Sequence, residues 1–300
     1  MRGQNLRTAA LRLTAVLAKE LRSRMWGWRS AATITVYLGL LGLLGLGFVW
    51  QMQQMSVYGG GYQVATLGLQ VFGLLAVFQL LLVIFIVPGL TAGAIAGERE
   101  RQTLDLLLVT PLSAFSIVLG KLLSSLAYVL VLLLASLPVF SLAFLFGGVS
   151  PTMVAKAFLI SFSTAVLIGA LGLLVSTLIR RVQMATVATY GLAFFLTFGL
   201  GIAAVILSIS SAVFRNGPPE THWLVYMNPL AAMASAVAQP GFGIPFVSLV
   251  FGYPGYGPGP GQGLPLWRFH LAIVAGVSLA LVLLTTVLLR PPRRLRRRAG

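Results

Sequence analysis

Three of the five carboxylates in this 300-residue chain, Glu98, Glu100 and Asp105, fall in one stretch, 97–113, reading GERERQTLDLLLVTPLS. Arg99 and Arg101 interleave with the first two. Long apolar runs flank the stretch on both sides. Mixed charge held between two such runs can enter a complementary groove on another protein. The chemistry expected here is docking at a membrane surface rather than catalysis.

The rest of the chain offers little that could react. There is no cysteine, so neither disulfides nor thiolate chemistry can arise. The two histidines, His222 and His270, lie far apart in sequence, and the acid nearest either of them is Glu220. That set does not make a transition-metal site. Gly120-Lys121 is followed by Leu122-Leu123 and lacks the preceding glycine of a phosphate-cradling loop. No catalytic, cofactor or metal residue is expected in this chain.

The elements that position residues 97–113 must be membrane helices. Hydrophobic residues make up 58% of the chain and charged ones 9%, whereas soluble domains carry about 25% charged residues. Mean hydropathy is +0.96. A helix needs about 20 apolar residues to cross the hydrocarbon core. Six runs qualify, near 31–50, 69–96, 122–146, 157–179, 184–212 and 269–289, and none alternates like a barrel strand. The expected fold is therefore an all-α integral membrane protein, with one membrane domain over 1–300 and no separate soluble domain.

The net charge of +16 is an orientation signal. With the N-terminus in the cytoplasm, 18 basic residues face inward. They are Arg2, Arg7, Arg12, Lys19, Arg22, Arg24, Arg29, Arg99, Arg101, Lys121, Arg180, Arg181 and the six arginines of the 290–300 tail. Lys156, Arg215 and Arg268 face outward. Both termini are thus expected inside, attracted to anionic membrane lipid, with Gly59 and Gly255 outside. Nucleic acid is not an expected partner, because no basic soluble domain exists to bind it.

Residues 1–30 read as an amphipathic helix on the membrane surface rather than a cleavable signal peptide. Lys19, Glu20 and Arg24 sit on it, and Glu20 precedes Arg24 by four positions, the favourable order for a helical ion pair. It can serve as an anchor with snorkelling arginines or as a lever touching a soluble partner, and the two are compatible. Pro88, near the end of the second run, predicts a kink. Lys121 is expected to snorkel to the inner interface, which leaves no ionisable side chain inside the membrane. Gln70, Gln79, Ser161, Ser163, Thr164, Ser176, Thr177 and Thr197 are expected to stitch helices together.

The 213–267 loop is mostly apolar. Asn228-Pro229 is a start signal, with Asn as N-cap and Pro at the first helical position. A helix from there to Gln239 is too short to span, so it must be interfacial or re-entrant, with Leu230, Met233, Ala234 and Val237 as its apolar stripe. His270, beside Trp267 and Arg268, is expected to mark the outer interface.

The stretch GERERQTLDLLLVTPLSAFSIVLGKLL resembles the signature of type-2 ATP-binding-cassette transporter permeases, roughly E-x-E-x-G-T-L-E-x-L-L-x-T-P-[LVI]-S-x-x-x-I-x-x-G-K. Glu98, Glu100, Thr103, Leu104, Leu107, Leu108, Thr110, Pro111, Leu112, Ser113, Ile117, Gly120 and Lys121 match it; Gln102 stands where the pattern has Gly, and Asp105 where it has Glu. Lys19-Glu20-Leu21, the six runs and the Asn228-Pro229 helix add to the likeness. The resemblance implies a six-span subunit of an exporter in a bacterial or archaeal inner membrane. It further implies a pairing with a second permease copy or paralogue and with ATPase subunits that bind ATP and Mg. Residues 97–113 would be the cytoplasmic coupling helix, with Glu98, Arg99, Glu100, Arg101, Thr103, Leu104, Asp105, Leu108, Thr110 and Pro111 at the ATPase contact. On that reading Leu104, Leu107 and Leu108 face the membrane while the carboxylates stay exposed. A non-transporting membrane anchor or assembly scaffold is the other reading left open.

Overall fold

The computed structural model describes residues 27–57, 64–104, 113–215, 223–237 and 266–289. Lys19, Glu20, Arg24, Gly59, Asp105, Leu107, Leu108, Thr110, Pro111, Leu112, Glu220, His222, Gly255 and the 290–300 tail lie outside the described residues. The described chain is helical: α1 Trp28–Val57, α2 Val64–Thr91, α3 Ala96–Glu100, α4 Ala114–Leu145, α5 Pro151–Leu178, α6 Val182–Phe194, α7 Leu200–Arg215, α8 Pro229–Val237 and α9 Leu266–Leu288. A π-turn at Phe195–Gly199 joins α6 to α7, and a 3-10 turn at Trp223–Met227 precedes α8. Among the described residues, six stretches are long and apolar enough to cross a membrane, one of them running through α2 and α3 and another through α6 and α7. The protein is a multi-pass α-helical membrane protein.

Helix starts follow from local chemistry. Ser113 caps α4, its Oγ accepting from Ser116 N at 3.1 Å. Ser150 caps α5 in the same way through Met153 N, and Pro151 takes the first helical position. Between them Gly147 and Gly148 hold φ of 79° and 78°, a left-handed turn that closes α4 and α5 into a hairpin.

The second and fourth spans form the core. In the most apolar window of each, 67% of the α2–α3 span and 61% of α5 are buried, against 17% of α1 and 22% of the α6–α7 span. In lipid the apolar effect does not draw helices together, so association rests on close packing. Gly172 of α5 supplies such an approach, since a Cβ there would collide with the Thr91 hydroxyl. Phe140 bridges three spans by edge-on contacts, 5.7 Å from Phe72 and 5.4 Å from Phe158 between ring centroids.

The helix continues past Pro88 to Thr91, and an interruption follows at 92–95. The cause is a side chain from another span, described below. Most intramembrane hydroxyls do not stitch helices: those of Ser163, Thr164, Thr177 and Thr197 bond backward to carbonyls of their own helix, three or four residues earlier. Gln79 does bridge, accepting from Ser136 of α4, and so does Ser176.

Candidate coupling site

The charged stretch is held in place from three directions. After α2 ends at Thr91, Ala94 N bonds to Thr91 O in a tightened turn. The next two donors, Ile95 N and Ala96 N, turn aside to Ser176 Oγ of α5 at 3.0 and 2.9 Å. A buried N–H without a partner is costly where water is scarce. Ser176, itself buried, satisfies both donors and allows the chain to bend before α3 resumes.

Each charged residue of α3 then meets a different span. Glu98 Oε1 pairs with Lys121 Nζ of α4 at 2.6 Å. Arg99 Nη1 donates to Thr177 O at 3.0 Å. That carbonyl is one of the last four of α5, which have no partner inside their helix, and a cation is favoured there. Glu100 Oε1 accepts from Val182 N at 2.7 Å. Val182 opens α6, whose N-cap residue Arg181 has no capping side chain. A carboxylate from another helix therefore supplies both the missing acceptor and the favourable charge. Glu98, Arg99 and Glu100 thus bind the third turn of α4, the end of α5 and the start of α6 to one short helix.

That helix closes with a Schellman motif. Thr103 N bonds to Glu98 O at 2.9 Å and Gln102 N to Arg99 O at 3.1 Å. The motif requires a left-handed residue, and Gln102 takes φ 56°. A glycine accepts this conformation without cost, which gives a physical reason for the Gly found there in the pattern cited above. Thr103 Oγ1 adds a second bond to Glu98 O. Arg101, Gln102 and Thr103 are exposed.

Glu98 and Glu100 each spend one carboxylate oxygen on a bond within the chain, and Glu100 remains exposed. Two expectations are corrected here. Lys121 does not snorkel outward: it is buried, with an exposure of 7%, and turns onto Glu98. An ionisable group therefore lies within the helix packing, with Glu98 at its partly exposed rim. Leu104 is buried in the main apolar cluster instead of facing the membrane. The Lys121 pairing was missed because its partner stands 23 positions away. The signal available was that Lys121 follows a Ser-capped helix start by eight positions, too deep for an ordinary interfacial lysine.

At the other end of the bundle, Asn228 caps α8. Its Oδ1 accepts from Leu230 N at 2.8 Å, while its Nδ2 donates to Thr197 O in the π-turn at 2.6 Å. A π-turn leaves a carbonyl out of the helical ladder, and Asn228 meets it. Leu230, Met233 and Val237 have 0% exposure and Ala234 is half-buried. The described part of α8 has nine residues, and Gln239 lies beyond it. His270 is buried within the protein, with Nδ1 3.0 Å from Tyr226 O. A carbonyl can only accept, so Nδ1 carries the proton.

A family model described as ABC-2 family transporter protein matches residues 14–290. No curated protein matches the chain.

Proposed function

The chain belongs to the ABC-2 transporter family, membrane components of ATP-binding-cassette transport, and on that premise we propose that it is the permease subunit of an exporter driven by a separate ATPase. The subunit pairs with a second permease copy or paralogue, and the ATPase supplies ATP and Mg chemistry that this chain lacks. Both termini and residues 97–113 face the cytoplasm of a bacterial or archaeal cell, as the distribution of basic residues favours.

One observation carries the proposal: α3 is bonded to three spans at once. A partner pressing on the exposed turn Arg101–Gln102–Thr103, and on the 105–112 segment beyond it, would displace α3. Glu98, Arg99 and Glu100 would then pass that motion to α4, α5 and α6 together. Their role is to transmit force within the permease, while contact with the ATPase falls to the exposed residues that follow. A passive anchor would have no need to tie its docking segment to three spans.

Affinity purification of the full chain in mild detergent tests the assignment. An ATP-hydrolysing partner should copurify, and its hydrolysis should respond to Arg101→Glu. Copurification of proteins without nucleotide-binding capacity would favour the scaffold reading.

A further inference from the structure

Lys156 and Arg268, two of the three basic residues assigned to the outer side, converge on one indole. Lys156 Nζ lies 5.5 Å from the Trp267 ring centroid and Arg268 Cζ lies 5.2 Å from it. The residues come from α5 and α9 and sit at the end of the bundle remote from Glu98. The direction of α5 fixes this, since Thr177, at its far end, bonds Arg99.

An aromatic ring attracts a cation but carries no net charge, so the mutual repulsion of two cations sharing one ring remains. The described carboxylates, Glu98 and Glu100, are both engaged at the opposite end. Among the described residues no carboxylate stands at this end, so an anion from outside the chain would offset that repulsion. The surroundings say which kind. Trp267 is half-buried and packs against the main apolar cluster, a setting that suits an interfacial indole. Leu159, one turn deeper than Lys156 on α5, is 48% exposed, and Phe269 beside Arg268 is 42% exposed. Charge at the rim with open apolar surface beneath it matches a molecule with an anionic head and a hydrocarbon tail.

We propose that Lys156, Trp267 and Arg268 form a binding site for the phosphate headgroup of an anionic phospholipid, whose acyl chain lies along Leu159. A free phosphate shares the headgroup chemistry but would gain nothing from the apolar track. The site is independent of the coupling segment.

The test uses the full chain in mild detergent, titrated with brominated phosphatidylglycerol or brominated phosphatidylcholine. The local signal is the part of tryptophan quenching that disappears in Trp267→Phe. Each cation near an anionic headgroup contributes about a fivefold factor, so the chain should prefer phosphatidylglycerol by about 25-fold. Lys156→Gln or Arg268→Gln alone should reduce the preference to about fivefold, and the double variant should abolish it. Lys156→Arg should retain it, which separates loss of the site from loss of fold. Equal quenching by both lipids in the unsubstituted chain, or a preference unchanged in the double variant, overturns the proposal. So does displacement of phosphatidylglycerol by millimolar inorganic phosphate, which would make the site one for a soluble anion.

Discussion

Lys121 Nζ lies 2.6 Å from Glu98 Oε1 and joins the two ends of the charged motif, with Glu98 on α3 and Lys121 on α4. The Lys121 side chain is 9% exposed and that of Glu98 26%. A pair this sheltered resists the loss of one partner more than the loss of both. Removing one charge leaves the other uncompensated in a medium that solvates it poorly.

The first prediction follows. Lys121→Met and Glu98→Gln should each destabilise the purified protein by about 1–3 kcal/mol, below the range for a wholly buried pair because Glu98 keeps some water. Combining them should recover much of the loss. Thermal unfolding in detergent measures this as a double-mutant cycle, and strictly additive losses would mean that the two residues are not coupled. Reversing Glu98 and Glu100 together is a poor test of ATPase docking, since it breaks the tie to α4 and the cap of α6 at once.

A second expectation concerns Gln102, held at φ 56°. Gln102→Gly should stabilise the segment by about 1 kcal/mol, since glycine takes the left-handed conformation without strain. Gln102→Val, branched at Cβ, should destabilise it. The opposite order of melting temperatures would contradict the Schellman closure.

Ser176→Ala removes the only acceptor seen for Ile95 N and Ala96 N among the described residues. Stranding buried donors costs about 1–3 kcal/mol each. Amide exchange in membranes should accelerate at 95 and 96 in this variant and stay slow in Ser176→Thr, which keeps the oxygen. Unchanged exchange in Ser176→Ala would show that the bend does not depend on this side chain.

Asn228 has two separable duties, and Asn228→Ser divides them. Serine can still cap α8 but is too short to reach Thr197 O, so it should cost about 1 kcal/mol, against about 2 for Asn228→Ala. Unfolding midpoints read this order. Met233→Asp places a charge at a site of 0% exposure and should abolish assembly. Normal assembly of Met233→Asp would refute the packing of α8.

The six spans were legible because a membrane helix needs nothing but length and apolarity, and runs such as 157–179 supply both. The α8 start was legible because Asn-Pro combines a cap with a fixed φ. The interior of the coupling site was not. Nothing local to Ile95 shows that its N–H will find Ser176, 81 positions away. Pro88 was the visible breaker, yet the helix ends only at Thr91, where a second span offers an acceptor to the donors that follow. The duties of Arg99 and Glu100 were hidden for the same reason. Arg99 meets the end of α5 and Glu100 the start of α6, where Arg181 offers no capping side chain, and neither contact shows until those ends are placed beside α3. The π-turn at Phe195–Gly199 left no trace in the residues that form it; its partner is Asn228.

The central claim is that the exposed turn after α3 receives the ATPase. The chain contains no cysteine, so a single introduced cysteine reports one position. Arg101→Cys and, as a control at the opposite end of the bundle, Thr152→Cys should be treated with a short thiol-to-amine cross-linker in native membranes. The account predicts an adduct between Arg101→Cys and an ATP-hydrolysing subunit, and none from Thr152→Cys. An adduct from position 152 alone, or none from 101 while the ATPase still copurifies, would contradict it.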